Sequence, residues 1–463
     1  MSITSKTKTL GAFALAMISV ASIINLRSLP MMATVGLNAV FFYLIAALAF
    51  LIPSALVCAE LASNFPQAGG LYAWVKLAFG EKTGFFAMWS EWFNNVIGFP
   101  ATASFIAIAV LYLFNPALAQ NKIIVLGVLL TLLWGCTLYN FLGILASSRL
   151  NIIGALFGTI IPAILIISLG ASWLLLGKPT QIHFATQNLF PALHINSLVF
   201  FTGVLSSYAG MQITAFHAPN VNNPQRNFPL AIAIAVVLII AITLFSTLAI
   251  AIVVPQQKIQ LVSGVLQGFA YFFQAFKLTW ALPITVLLII ISGISTLAAW
   301  LLGPARGLAV AAQNRDFPIY FSKESKRGIP VRILLLQATI ATLLAFLFIL
   351  LPNLNIAFWL LTVLTSQFTL IMYVLLFSSN IALQPKITAN NNTKAFKIPG
   401  IIWPRRLVCG VAIIVCAGAY ILGFFPPAQL PIPNLEIYEA CLLIGNLIYI
   451  GLPIIIYKNR KKI

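Results

Sequence analysis

The sequence predicts an all-α integral membrane protein: twelve transmembrane helices, with helices 1 and 6 discontinuous. Three observations predict it. The chain of 463 residues is 61% hydrophobic and only 7% charged. Its mean hydropathy is +1.03, and apolar runs close to the roughly 20 residues that cross a bilayer recur from end to end. Its basic residues are also distributed very unevenly between the two sides that those runs define.

Taken in order, the runs lie at about 9–34, 37–62, 84–114, 123–142, 150–176, 196–217, 228–254, 278–312, 331–352, 355–383, 405–424 and 437–457. The connections are short, so the chain reads as a single transmembrane domain. With the N-terminus in the cytoplasm, 21 of the 26 Lys and Arg residues fall on the cytoplasmic side. Only Lys122, Lys178, Lys258 and Lys277 fall opposite, and Arg27 belongs to neither side. This is the positive-inside pattern, and it puts both termini in the cytoplasm. The net charge of +19 then sets topology and lies against anionic membrane lipid, with no nucleic-acid role.

Catalysis finds little support. The five cysteines sit in or at the edges of apolar runs without metal-ligand spacing and read as small packing residues. His217, at the end of the sixth run, reads as a cap or packing residue. The first helix is too long, and lacks a small-residue cleavage site, to be a removed signal peptide. No Walker, zincin or nucleophile-elbow pattern occurs, so no metal or cofactor is expected.

A twelve-span chain of this kind points to secondary transport, where equivalent helices of two inverted halves are commonly interrupted near mid-membrane. The first run breaks around Ile23, Ile24 and Asn25, shortly before Arg27 and Pro30, because proline lacks a backbone donor and disfavours helix before it. The sixth carries the polar, glycine-bearing island LSSYAGMQ at 205–212. First and sixth is the spacing of a five-plus-five inverted repeat, at about 8–178 and 195–384, with two C-terminal helices at about 403–458. Interrupted backbone is tolerable only beside a polar cavity. Helix N-termini there suit a carboxylate and free carbonyls suit an ammonium, the two ends of an amino acid. Gly and Pro are also packing devices in membrane helices, so the argument rests on two breaks in matching positions.

Residues 59–75, AELASNFPQAGGLYAWV, resemble the end of the second span and the following loop in the amino acid–polyamine–organocation superfamily. Pro66 and Gly69-Gly70 suit a tight re-entry, and Tyr72 and Trp74 an interfacial helix. SYAGMQITAFH (207–217), Asn223-Pro224, FPLA (228–231), GPARG (303–307), Gln313, GIPV (328–331) and FKIPG (396–400) are similar to the bacterial glutamate:GABA antiporter branch. The resemblance runs from the first span to the twelfth. It implies the ten-helix inverted-repeat fold plus two helices, an amino acid at the breaks, and an aromatic gate on the eighth span at Trp300. Substrate-binding positions are then Ile23, Ile24, Asn25, Arg27, Glu91, Asn95, Ser207, Tyr208, Gly210 and Thr365. The chain departs from that branch at Thr296, where an acidic residue precedes the tryptophan, and at Gln212, where glutamate is common. These are the coupling and pH-related positions.

Arg27 carries the sharpest question. An unpaired charge at the bilayer centre costs at least about 2.5–3.5 kcal/mol. Arg27 therefore either offers its fork to a substrate carboxylate or pairs with Glu91, which shares a polar stripe of the third span with Asn94, Asn95, Gly98 and Thr102. The functional expectation is an amino-acid antiporter; the alternatives are a proton-coupled importer of amino acids or polyamines, and a nutrient receptor without turnover. With Gln212 and Thr296 neutral, exchange should vary little between about pH 5 and 7, the range where histidine or a perturbed carboxylate titrates. A steep loss of exchange measured in vesicles over that range contradicts this.

Overall fold

The structure, a computed structural model, describes residues 10–65, 70–143, 154, 156–191, 198–215, 221–389, 395–398, 402–427, 430 and 432–460. Pro66, Gly69 and His217 lie outside the described residues. Long apolar runs become helices because lipid cannot satisfy a free backbone amide or carbonyl. Among the described residues, ten helices are long and apolar enough to span a bilayer, and a pair bent by 45° makes an eleventh.

That pair is α1 (Ala12–Ile23) and α2 (Leu29–Ala33), joined by a 3₁₀ turn at Leu26–Ser28. Then come α3 (Gly36–Asn64), the short α4 (Gly70–Phe79), α5 (Glu81–Phe114), α6 (Lys122–Asn140) and α7 (Phe157–Leu175). The sixth expected span appears as two short pieces, α8 (Phe200–Ser207) and α9 (Gln212–Ala215), on either side of residues 208–211. The second half continues with α10 (Pro224–Val253), α11 (Gly264–Ala275), α12 (Ala281–Gln313), α13 (Val331–Leu350) and α14 (Leu354–Ala389). It ends with α15 (Ile402–Leu422) and α16 (Leu435–Asn459).

Two features differ from the sequence reading. The connection between the seventh and eighth spans holds a helix, α11, whose Val265, Leu266, Phe269, Phe272 and Phe273 are all buried. Its apolar residues recur at helical spacing, so it packs as an amphipathic element and not as a bare loop. Trp74 of α4 is buried, its indole donating to the Phe65 carbonyl at 3.3 Å. It anchors α4 to the protein and is not an interfacial residue; only Tyr72 keeps partial exposure.

Burial separates core from rim. In α5 and α14, 78% and 72% of the apolar window is buried, against 22% in α15 and in α16. The first two helices are therefore the interior posts, and the last two lie at the rim of the bundle. Burial favours bonds between polar side chains and their neighbours, and one such chain of bonds ties α5, α13 and α12 together. Trp92 of α5 donates to Gln337 Oε1 of α13 at 3.1 Å, and Gln337 Nε2 donates to the Leu301 carbonyl of α12 at 2.8 Å.

The fully buried Glu60 of α3 accepts from Asn380 Nδ2 (2.9 Å) and Gln384 Nε2 (3.0 Å) of α14, and from the Ile398 amide (2.8 Å). Asn64 and Ser63 donate to the Phe396 carbonyl, at 2.9 and 3.1 Å. The segment before α15 is thus held by one carboxylate and two small polar side chains. Glu60→Leu leaves these donors buried and unpaired. It should destabilise the fold by about 2–5 kcal/mol, read as a lower unfolding temperature of the detergent-solubilised protein, and Glu60→Gln by less.

Candidate functional site

The site begins with how the chain leaves α1. The helix stops at Ile23, and Ile24 turns extended at φ −66°, ψ 121°. Asn25 is also extended, and its side chain accepts from the Arg27 amide at 3.0 Å, while Ser28 Oγ donates to the Asn25 carbonyl at 2.9 Å. This Asx-type cap closes the 3₁₀ turn that carries Arg27. Pro30 sits in the first turn of α2, where its missing N–H costs nothing.

The second break is built on Gly210, at φ +140°, a backbone region that side chains avoid. A Cβ there would lie 2.9 Å from Ile23 Cγ1 and 3.1 Å from the Ser22 carbonyl oxygen. The two breaks therefore touch, and only glycine permits it. The Gly210 amide, released from helical bonding, donates to Tyr373 Oη of α14 at 2.8 Å, and that hydroxyl donates to Gln212 Oε1 at 2.5 Å. Ser22 Oγ reaches the Gly210 carbonyl at 3.4 Å.

Around these breaks lies a cavity of about 250 Å³. Of the expected positions, Ile23, Ile24, Asn25, Arg27, Glu91, Asn95, Ser207, Gly210 and Thr365 line it, as do Trp300, Gln212 and Thr296. Tyr208 does not. It is fully buried on the other side of the break, its ring 5.8 Å from that of Tyr43 and its hydroxyl 3.4 Å from Thr243 Oγ1. Beside Gly210 the chain turns, so consecutive residues point to opposite sides and the large ring takes the packed one.

Among the described residues, Arg27 and Glu91 are the only charged ones lining the cavity, and they do not pair. Arg27 Nη1 instead donates to Thr102 Oγ1 of α5 at 2.6 Å, and its guanidinium lies 5.9 Å from the centre of the Phe358 ring. The expected ion pair fails on distance. Positions 91 and 102 are separated by eleven residues, about 16 Å along the helix axis. Of the five guanidinium donors, one is engaged among the described residues.

Of a row on α14, sequence reasoning named only Thr365: Thr362, Ser366 and Thr369 line the cavity beside it, with Phe358 and Met372 at the ends of the row. The spacing of three and four residues is the signal that would have found it. Tyr373, which satisfies the Gly210 amide, was also passed over.

Residues 9–447 match the sequence model of the family described as amino acid permease. The chain is 41% identical over 456 residues to an uncharacterised transporter of Legionella pneumophila, covering 98% of each chain. It is 29% identical over 461 residues to a glutamate/gamma-aminobutyrate antiporter of Lactococcus lactis, covering 98% of this chain and 91% of that one. To a probable agmatine/putrescine antiporter of the same species it is 25% identical over 444 residues, covering 93% and 91%.

Two substitutions test the break. Gly210→Ala should abolish ligand binding and lower the unfolding temperature, since the new methyl group meets α1 in a disallowed backbone region. Tyr373→Phe removes the partner of a buried amide and should weaken binding by about tenfold or more, corresponding to roughly 1–3 kcal/mol, measured by titration of the purified protein. Wild-type affinity in both variants contradicts this account of the site.

Proposed function

The chain belongs to the amino acid permease family, and on that premise we propose that this amino-acid transporter is an antiporter of the glutamate/gamma-aminobutyrate type, working by alternating access. The observation that carries the reading is Arg27. It sits in the cavity beside the break of α1, bound to one threonine hydroxyl and to no carboxylate. A guanidinium in that position is stabilised when a carboxylate takes its free donors, and a planar fork favours two-point contact. The similarity to glutamate/gamma-aminobutyrate antiporters of two Lactococcus lactis strains supports a carboxylate-bearing substrate.

The backbone at Ile23–Asn25 and at Ser207–Gly210 takes the rest of the amino acid, with Thr365 opposite. Trp300 acts as the gate, and Gln212 and Thr296, both neutral, set the response to pH. The bundle has twelve spans in two inverted halves of five plus two further helices, with α1–α2 and α8–α9 as the equivalent interrupted members. The one-sided Lys and Arg distribution supports an inner-membrane orientation with both termini, and the Glu81 end of α5, in the cytoplasm.

Counterflow tests the reading. Vesicles loaded with unlabelled glutamate or gamma-aminobutyrate should accumulate labelled glutamate, and empty vesicles should not. Arg27→Ala should raise the half-saturating glutamate concentration by roughly 10–100-fold, the loss expected for a charge-assisted pair, with Arg27→Lys in between. Equal uptake into empty vesicles along a proton gradient replaces exchange by import, binding without flux leaves a receptor, and an unchanged glutamate dependence in Arg27→Ala removes Arg27 from the site.

A further inference from the structure

A cation in a membrane bundle is commonly paired with an acid. Arg460 of α16 follows that pattern, meeting Asp316, beyond the end of α12, at 3.2 Å. Arg27 does not. Among the described residues its guanidinium meets no carboxylate; its partner is Thr102 Oγ1 of α5 at 2.6 Å, a neutral acceptor. Glu91, the other charged residue lining the cavity, stands about three helical turns away on the same face of α5.

The threonine is arranged to accept and nothing else. Its hydroxyl proton goes to the Gly98 carbonyl, one turn back on α5, at 3.1 Å. Lone pairs are therefore all that it presents to Arg27. The other end of the arginine is fixed as well. Asn25 Oδ1 accepts from the Arg27 amide at 3.0 Å, and Ser28 Oγ donates to the Asn25 carbonyl at 2.9 Å. The Phe358 ring of α14 lies 5.9 Å from the guanidinium carbon, within the reach of cation–π attraction. A long, flexible side chain is thus held at its backbone, at one terminal nitrogen and beside one ring.

Holding a charge and neutralising it are different acts. An unanchored Arg27 would have to order its side chain while binding a carboxylate, and that ordering weakens binding. An acid at position 102 would anchor the fork more firmly, but it would also take the charge that a substrate carboxylate needs. A hydroxyl whose own proton is already committed does the first without the second. Thr102 and Arg27 also belong to different elements, so their bond sets the level of the fork against the polar stripe of α5.

We propose that Thr102 is the positioning residue of the carboxylate subsite: its hydroxyl holds the Arg27 fork in binding geometry and leaves the positive charge intact. Its effect is exerted through the arginine. The inference rests on Arg27 being the carboxylate-binding group of the proposed transport site, and it asks nothing of exchange itself. A packing role for Thr102 would be served by valine, which has a similar shape and no acceptor. A competing role, with Thr102 withholding the fork from substrate, would make its removal tighten binding.

Titration of the purified full-length protein with glutamate tests it. Thr102→Val should raise the dissociation constant roughly three- to tenfold, the effect of ordering one long side chain on binding. Thr102→Ser keeps the acceptor and should stay within about twofold of wild type. Thr102→Asp should weaken binding about as much as Arg27→Ala does, because the fork is then neutralised. In an Arg27→Ala background, Thr102→Val should add nothing. Ligand-free unfolding temperature identifies a variant that fails to fold; if Thr102→Asp does, the valine and serine variants and the double variant decide. Unchanged or tighter binding by Thr102→Val overturns the inference, as does an equal loss in Thr102→Ser or a further loss in the double variant. If Arg27→Ala weakens binding and Thr102→Val does not, the transport reading keeps its arginine and only this inference falls. If glutamate binds with the expected dependence but no exchange is measured in vesicles, the antiporter reading falls and the positioning role stands. Glutamate that fails to bind wild type removes both.

Discussion

The architecture depends on one constraint: two interrupted helices must bring bare backbone together where no lipid can satisfy it. Gly210 is where this is done. Its φ of +140° and its approach to Ser22 and Ile23 leave no room for a side chain. Its amide is satisfied from outside both broken helices, by Tyr373. The same hydroxyl then fixes Gln212, so a single tyrosine of α14 sets the geometry of the break and of the first residue beyond it. Around that point the polar row of α14 and the stripe of α5 enclose the cavity. Without the contact at Gly210 the backbone groups would have no shared chamber to face.

Charge follows the same logic of satisfaction. Where an acid serves structure, the bundle surrounds it with donors, as at Glu60, or supplies an opposite charge, as Arg460 does for Asp316. Among the described residues Arg27 and Glu91 receive neither treatment: Arg27 reaches Thr102 at one end of the α5 stripe, and Glu91 stands at the other. Had they been paired, each would have lowered the other's cost, and the cavity would be electrically closed. Their separation leaves it open to a charged ligand at either end.

Much of this was legible in the sequence, and the rest was hidden for definite reasons. Spans were readable because membrane helices must be long and apolar. The breaks were readable from Ile23–Asn25 before Pro30 and from the island around Gly210. The Arg27–Glu91 pairing was not, because a shared helical stripe gives the face and says nothing of the level; Thr102, in the same stripe, proved to be the partner. Tyr208 was placed with its neighbours Ser207 and Gly210, but the chain turns beside Gly210 and its ring packs against Tyr43 instead. The rest of the α14 row escaped notice because Ser366 and Thr369, like the expected Thr365, each bond the carbonyl four residues back. A membrane helix satisfies its hydroxyls in that way whether or not it lines a cavity, so composition alone does not separate lining from packing.

Short and long helices divide the work of recognition accordingly. The 12-residue α1, the five-residue α2, and the eight- and four-residue α8 and α9 contribute mainly backbone near their ends. The 34-residue α5 and 36-residue α14 are continuous through the site and contribute rows of side chains. A continuous helix fixes the interval between its residues at about 1.5 Å each, so α5 and α14 hold their polar rows at set levels along the cavity, opposite the turn that carries Arg27.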